Sequence, residues 1–245
     1  MKNRIKNVLS YTFNNILPLY ALIPVISCFV WNAIIYWGTR TINGGMKHFD
    51  MTLSIDRMTP VIPEFIVIYF GCYISWTVFY IMSVRTGKME CAKFVTFDLI
   101  TRTICGVIFI LLPTYNIRPQ IDGSDFFSKA LLFLYSIDAA DNLFPSIHCL
   151  VSWNCFVGIR QQKEYSKGVK VISAIIAVLV FISTLVTKQH VIVDVISAVI
   201  ISEVVWWVVG RSKVYVPVWK VFESINNAVF GRFLKGKGNW FWKIF

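Results

Sequence analysis

Residues 171–209 read VISAIIAVLVFISTLVTKQHVIVDVISAVIISEVVWWVV, two apolar runs separated by the polar link Thr187-Lys188-Gln189-His190. A hydrocarbon core of about 30 Å takes about 20 helical residues to cross, and each run supplies them. The link therefore reads as the tip of a transmembrane hairpin. The rest of the chain has the same character. Of its 245 residues 56% are hydrophobic and 15% charged, with a mean hydropathy of +0.63. An ordinary soluble domain has about 45–50% apolar and about 25% charged residues. This composition excludes a disordered chain and a typical cytosolic fold, and leaves a polytopic membrane protein.

Working outward, six apolar windows are expected to span: Ile16 to Trp37, Val61 to Val84, Phe97 to Tyr115, Leu143 to Ile159, Val169 to Thr187 and His190 to Val209. The first follows Lys2, Arg4 and Lys6, but it is too long for a signal peptide and lacks a small-residue cleavage site, so it is expected to remain as an anchor. Of the 24 Lys and Arg residues, 17 fall on the side of the membrane that holds both ends of the sequence and 6 on the other, with Arg102 inside a span. Basic loops are retained in the cytoplasm, so both termini are expected there, in an integral cell-membrane protein whose loops after spans one, three and five face outward. The net charge of +11 then reflects topology and anionic headgroups, and gives no reason to expect nucleic-acid binding. Beyond Arg211, Val218, Phe222, Ile225, Val229 and Phe233 recur at helical spacing near Lys220, Arg232 and Lys235, with Trp240 and Trp242 following. This suggests a cytoplasmic interfacial helix, with a solvated, poorly ordered tail as the alternative. No repeat or linker divides the chain, so residues 1–245 are read as one domain with a core at about 97–210 and a tail at about 211–245.

Six cysteines could suggest disulfides, but Cys28, Cys72, Cys105 and Cys155 lie within apolar runs and Cys91 and Cys149 close to them, as small buried hydrophobes do. With only His48, His148 and His190 and no zinc-type spacing, no structural metal or cofactor is expected.

Ionisable residues at membrane depth need a structural partner or a task. Asp98 and Arg102, four apart, read as an ion pair, and Glu203 as a snorkelling or pairing residue. The outward segments are richer. They contain Arg118-Pro119, then Phe144-Pro145-Ser146-Ile147-His148, then Ser183, Lys188, His190 and Asp194. His190 and Asp194, at i and i+4, would share a helical face, the carboxylate taking Nδ1–H and leaving Nε2 as a lone pair. Ser146 after Pro145 can open a helix whose N-terminus favours an anion, and Arg118 offers a fork that fits phosphate oxygens. Together these groups point to phosphoryl transfer through one histidine, with a second as acid. Cys149, beside His148, has no charge pattern that would activate it, and His48, with Lys47 and Asp50, reads as solvated surface. The segment Gln120 to Asn142, with Phe126, Phe127, Leu131, Leu132 and Leu134, suggests a short interfacial helix over the site.

These residues resemble the type 2 phosphatidic acid phosphatase superfamily, six-helix membrane enzymes that cleave or transfer lipid phosphates without a metal. The family pattern is Lys, six residues, Arg-Pro; Pro-Ser-Gly-His; and Ser-Arg, five residues, His, three residues, Asp. The chain agrees at Arg118, Pro119, Pro145, Ser146, His148, Ser183, His190 and Asp194, and departs at Leu111, Ile147 and Thr184 where the family has Lys, Gly and Arg. The resemblance spans the third to sixth helices. It implies an all-α bundle of six transmembrane helices with its site at the outer membrane face. It also implies that His190 attacks phosphorus, Asp194 orients it, His148 protonates the leaving alkoxide, and Arg118 and Ser146 hold phosphate oxygens.

Lys188 could offset the two missing cations. The leading expectation is a phosphatase acting on a lipid phosphate or diphosphate. Because fewer cations suit a phosphodiester, headgroup transfer is the alternative, in the manner of the inositol phosphorylceramide synthases, which share the Phe-Pro-Ser-x-His style. A non-catalytic lipid-binding protein is a third reading.

Overall fold

The computed structural model describes residues 16–234. Lys2, Arg4, Lys6, Lys235, Trp240 and Trp242 lie outside the described residues, as do the side chains of Arg232 and Phe233. In chain order the elements are α1 (Leu19–Asn43), β1 (Phe49–Asp50), α2 (Ser54–Met58), a 3-10 turn (Pro63–Phe65), α3 (Ile66–Arg85), α4 (Lys88–Leu111), β2 (Thr114–Tyr115), α5 (Phe126–Ile137), α6 (Ile147–Gln161), α7 (Lys167–Val186), α8 (Ile192–Arg211) and α9 (Tyr215–Leu234). Among the described residues, five helices are long and apolar enough to cross a membrane: α1, the 3-10 turn with α3, α4, α7 and α8. The expected fourth span is α6, whose 15 residues rise about 22 Å, short of the hydrocarbon thickness.

α6 is the centre of the bundle and packs against α3, α4, α7 and α8. Its Leu150, Val151, Cys155 and Val157 are buried. At Gly158 a Cβ would collide with Ser83 and the Phe94 ring, so glycine lets α6 approach both α3 and α4. On the outside, Val30, Ile74, Ile175, Ile200 and Val204 are exposed, the apolar surface expected of a bundle that meets acyl chains. All six cysteines are buried thiols.

Several boundaries differ from the hydropathy windows. α1 runs past Trp37 to Asn43, because Thr39 and Thr41 donate back to the carbonyls of Ile35 and Trp37 and the Asn43 amide donates to Phe109 O. α4 begins at Lys88, nine residues before the expected start, and already buries Cys91, Ala92 and Phe94. It ends before Thr114–Tyr115, which pair in parallel with Phe49–Asp50. α5 forms within the 120–142 segment as expected, capped by Asp125, and its Leu131 and Leu134 pack on Ile66 and Tyr69.

α9 is helical, but its stripe is rotated from the one the spacing suggests. Trp219, Phe222 and Asn226 are buried, while Ile225 and Val229 are exposed. The helix packs on α1 and α4, where the Asn226 amide donates to Tyr20 O, so tertiary contact rather than apolar periodicity sets its face.

One end of the bundle gathers the 44–65, 112–146 and 187–191 segments, stitched by β1–β2 and by bonds between them. The opposite end holds the Arg160–Glu203 pair, with N–O distances of 2.8 and 2.6 Å and Trp153 Nε1 donating to Glu203.

Candidate active site

The connector from α7 to α8 is fixed by its backbone. Thr184 C=O accepts from both Gln189 N–H and His190 N–H, at 2.9 and 3.1 Å, and Lys188 adopts φ 53° to make that reversal. A left-handed residue closing a helix is ordinarily Gly or Asn, so lysine here is held by its contacts. Those contacts are specific. Lys188 Nζ donates to Asp56 O and Thr59 O, both at 2.6 Å, Asn116 donates to Lys188 O, and Tyr135 OH donates to Thr187 O. Asp56 is buried, and its carboxylate accepts from Ile192 N–H at the start of α8.

His190 Nδ1 lies 3.1 Å from Asp194 Oδ2, which also accepts from Val191 N–H at 3.0 Å. The expected pair therefore exists, but not along one face of a helix. Val191 is the N-cap of α8, so His190 precedes the helix and Asp194 reaches back from its first turn. Both residues are buried. A carboxylate at this position favours the Nδ1–H tautomer, in which Nε2 carries the lone pair.

His148 stands in the first turn of α6, after the N-cap Ser146. Its ring packs on Tyr69, Tyr73 and Trp76 at centroid distances of 4.6, 6.1 and 5.5 Å, and Nε2 lies 3.3 Å from Tyr73 OH. The two imidazole centroids are 5.9 Å apart at 53°. That separation leaves room for one phosphorus within about 3–3.5 Å of an attacking nitrogen, with its leaving oxygen in hydrogen-bond reach of the other ring. A cavity of about 230 Å³ opens beside both rings, with Tyr36, Phe70, Tyr73 and Trp76 among its aromatic lining and Asp138 and Gln189 among its polar lining.

The three expected phosphate ligands are placed differently. Arg118 does not line this cavity. Its Nη1 donates to Asp138 O at 2.5 Å, its Nη2 to Gln189 Oε1 at 2.7 Å, and its carbon lies 4.7 Å from the Tyr135 centroid. The guanidinium thus stands behind Gln189. Lys188 points toward the 53–59 segment instead, and burial lowers its ammonium pKa, an effect that Asp56 opposes. Ser146 is fully buried; its hydroxyl accepts from Cys149 N–H and its own N–H donates to Asp194 O, so it braces His148 and the α8 start against each other. Ser183 donates to Val180 O within α7. Cys149 is buried against Thr184, outside the cavity lining, and His48 is half-buried, its Nδ1 beside Met46 O and away from the cavity.

Gln189, Asp138, Tyr36 and Asp56 carry no weight in the sequence reading. An amide has no charge to draw notice, although its position beside His190 is a usable signal. Asp138 and Tyr36 meet only through the fold, the Tyr36 hydroxyl donating to Asp138 Oδ1 at 2.5 Å. Among the described residues no three His, Cys, Asp or Glu side chains come together to hold a metal ion. No family model, curated protein or solved structure matches the chain.

Proposed function

We propose that the protein is a membrane-embedded enzyme that takes a phosphoryl group from a lipid phosphate onto His190 and passes it to water or to a hydroxyl, as a lipid-phosphate phosphatase or headgroup phosphotransferase. The reading rests on one observation: the two imidazoles, 5.9 Å apart, share a cavity, and one of them is oriented by a buried carboxylate. His190 Nε2 attacks, Asp194 stabilises the resulting imidazolium, and His148 protonates the leaving alkoxide and then takes the acceptor's proton. The type 2 phosphatidic acid phosphatase likeness of the motifs points the same way. On this reading α6 is the sixth transmembrane element, shortened because its outer end opens into the site. The charge bias of the loops supports an outward-facing site.

The leading expectation, hydrolysis of a lipid phosphate or diphosphate, counts on Lys188 for charge. The Lys188 ammonium is occupied by two carbonyls and Arg118 reaches the cavity only through an amide, which favours a singly charged phosphodiester and hence headgroup transfer. Purified protein in mixed micelles with labelled lipid, with and without an acceptor lipid, separates these outcomes: free phosphate marks the phosphatase, a new phosphodiester the transferase. His190→Ala should abolish both products, and retention of most of the turnover would remove the mechanism.

A further inference from the structure

We infer that the lipid accepted by this site is a phosphodiester whose headgroup ends in an ammonium, with a phosphoryl oxygen on the Gln189 amide and the ammonium against Asp138. This rests on the His190 reading above and adds its substrate class. Gln189, next to His190 in the chain, is only 2% exposed and lines the cavity. Its Oε1 accepts from Arg118 Nη2. A guanidinium has donors only, so this bond fixes the amide orientation, and Nε2 is left buried without a partner among the described residues. A buried N–H pair is costly until an oxygen accepts it, and a ligand in the cavity that Gln189 lines would bring one once the amide turns to meet it. An amide polarised from behind by Arg118 suits one negative charge better than two.

Asp138, in the same lining, has the opposite character. Asp138 follows α5 and accepts from Tyr36 OH, and among the described residues no cationic side chain lies within ion-pair distance of its carboxylate. Its neighbour Asp141 is paired with Arg40 at 3.0 Å. Rings of Tyr36, Tyr73 and Trp76 line the same space. A carboxylate beside electron-rich ring faces attracts an alkylammonium and repels the second charge of a phosphate monoester. A neutral polyol headgroup would gain only hydrogen bonds there. A zwitterion answers both groups.

The chemistry follows from which bond breaks. His190 Nε2 forms a P–N bond as the P–O bond to the lipid alcohol breaks, and that alkoxide takes a proton from His148 and leaves. The ammonium-alcohol phosphoryl group stays on His190 with its cation at Asp138. The acceptor hydroxyl then gives its proton to His148 as its oxygen bonds phosphorus and the P–N bond breaks, which restores both imidazoles.

The test uses full-length protein in detergent mixed micelles containing one donor at a time, all with the same acyl chains: phosphatidylcholine, phosphatidylethanolamine, phosphatidylglycerol or phosphatidate. Release of lipid alcohol and label on His190 are read for wild type, His190→Ala and Asp138→Asn. The ammonium lipids should turn over about tenfold or more faster than phosphatidylglycerol and phosphatidate, and Asp138→Asn should bring the ammonium-to-glycerol ratio close to one. The wild-type donor series alone is decisive if the variant does not fold. His190-dependent turnover in which phosphatidylglycerol or phosphatidate equals the ammonium lipids would overturn this inference and leave the His190 reading standing, as would a ratio unchanged by Asp138→Asn. No turnover of any donor and no label on His190 would overturn both.

Discussion

Two polar clusters lie inside this apolar bundle, and they are built in opposite ways. At mid-bundle, Asp98 pairs with Arg102 Nε at 2.7 Å and accepts from Tyr80 and Asn154, Arg102 also donates to Tyr80 OH, and Ser202 donates to Asn154 Oδ1. This joins α3, α4, α6 and α8, and none of its buried polar atoms lacks a partner among the described residues. At the loop end, Gln189 Nε2, Asp141 Oδ1 and Asn32 Oδ1 are buried without partners among the described residues, on side chains that line the cavity, as are Arg118 Nε and Asp194 Oδ1 on the residues that bond Gln189 and His190. A closed network fixes helices in place, whereas unmet donors and acceptors beside a void mark where a ligand completes the structure. The two clusters should therefore fail differently when mutated.

The sharpest contrast should come from His148→Ala, which is expected to cost about 10²- to 10⁴-fold in turnover and leave the unfolding midpoint in place. An equal loss of stability would erase the distinction between the regions. In the closed network the expectation reverses. Asp98→Leu alone strands a buried guanidinium and should cost about 3–5 kcal/mol, while Asp98→Leu with Arg102→Met should restore most of it. Unfolding in mixed micelles measures both, and a double variant as unstable as the single one would mean that the charges do more than join helices.

Arg118 sits between these types, since it holds Gln189 and the Asp138 carbonyl but does not line the cavity. Arg118→Lys and Gln189→Ala should each lower kcat about tenfold to a hundredfold with little change in KM, and the double variant should be no worse than either single one, because they act as one unit. Additive losses would place Arg118 directly on the substrate. The smallest effect should be that of Lys188→Met. It removes two charge-assisted bonds worth about 1–3 kcal/mol of stability and should change turnover less than about threefold. A large kinetic loss would return Lys188 to the phosphate.

The sequence makes the spanning segments legible because burial in lipid demands long apolar runs, and it makes His148, His190 and Asp194 legible because their spacing is local. Charge alone misleads about Arg118 and Lys188. It identifies cations at the right end of the bundle, but the left-handed turn at Lys188 and the bond to Gln189 decide where those side chains go, and neither is local in sequence. The start of α4 was hidden by Lys88, Glu90 and Lys93, which interrupt hydropathy without interrupting the helix. The face of α9 depended on what Trp219 and Asn226 meet on α1 and α4. Gln189 and Asp138 are ordinary residues until the fold sets them in the lining of one cavity.

The most direct measurement is to quench the protein during turnover of a labelled lipid phosphate and map the label by mass spectrometry under alkaline conditions. The account predicts an acid-labile phosphoramidate on His190, absent from His190→Ala. Turnover that proceeds with His190 unlabelled, or with the label on another residue, would contradict it.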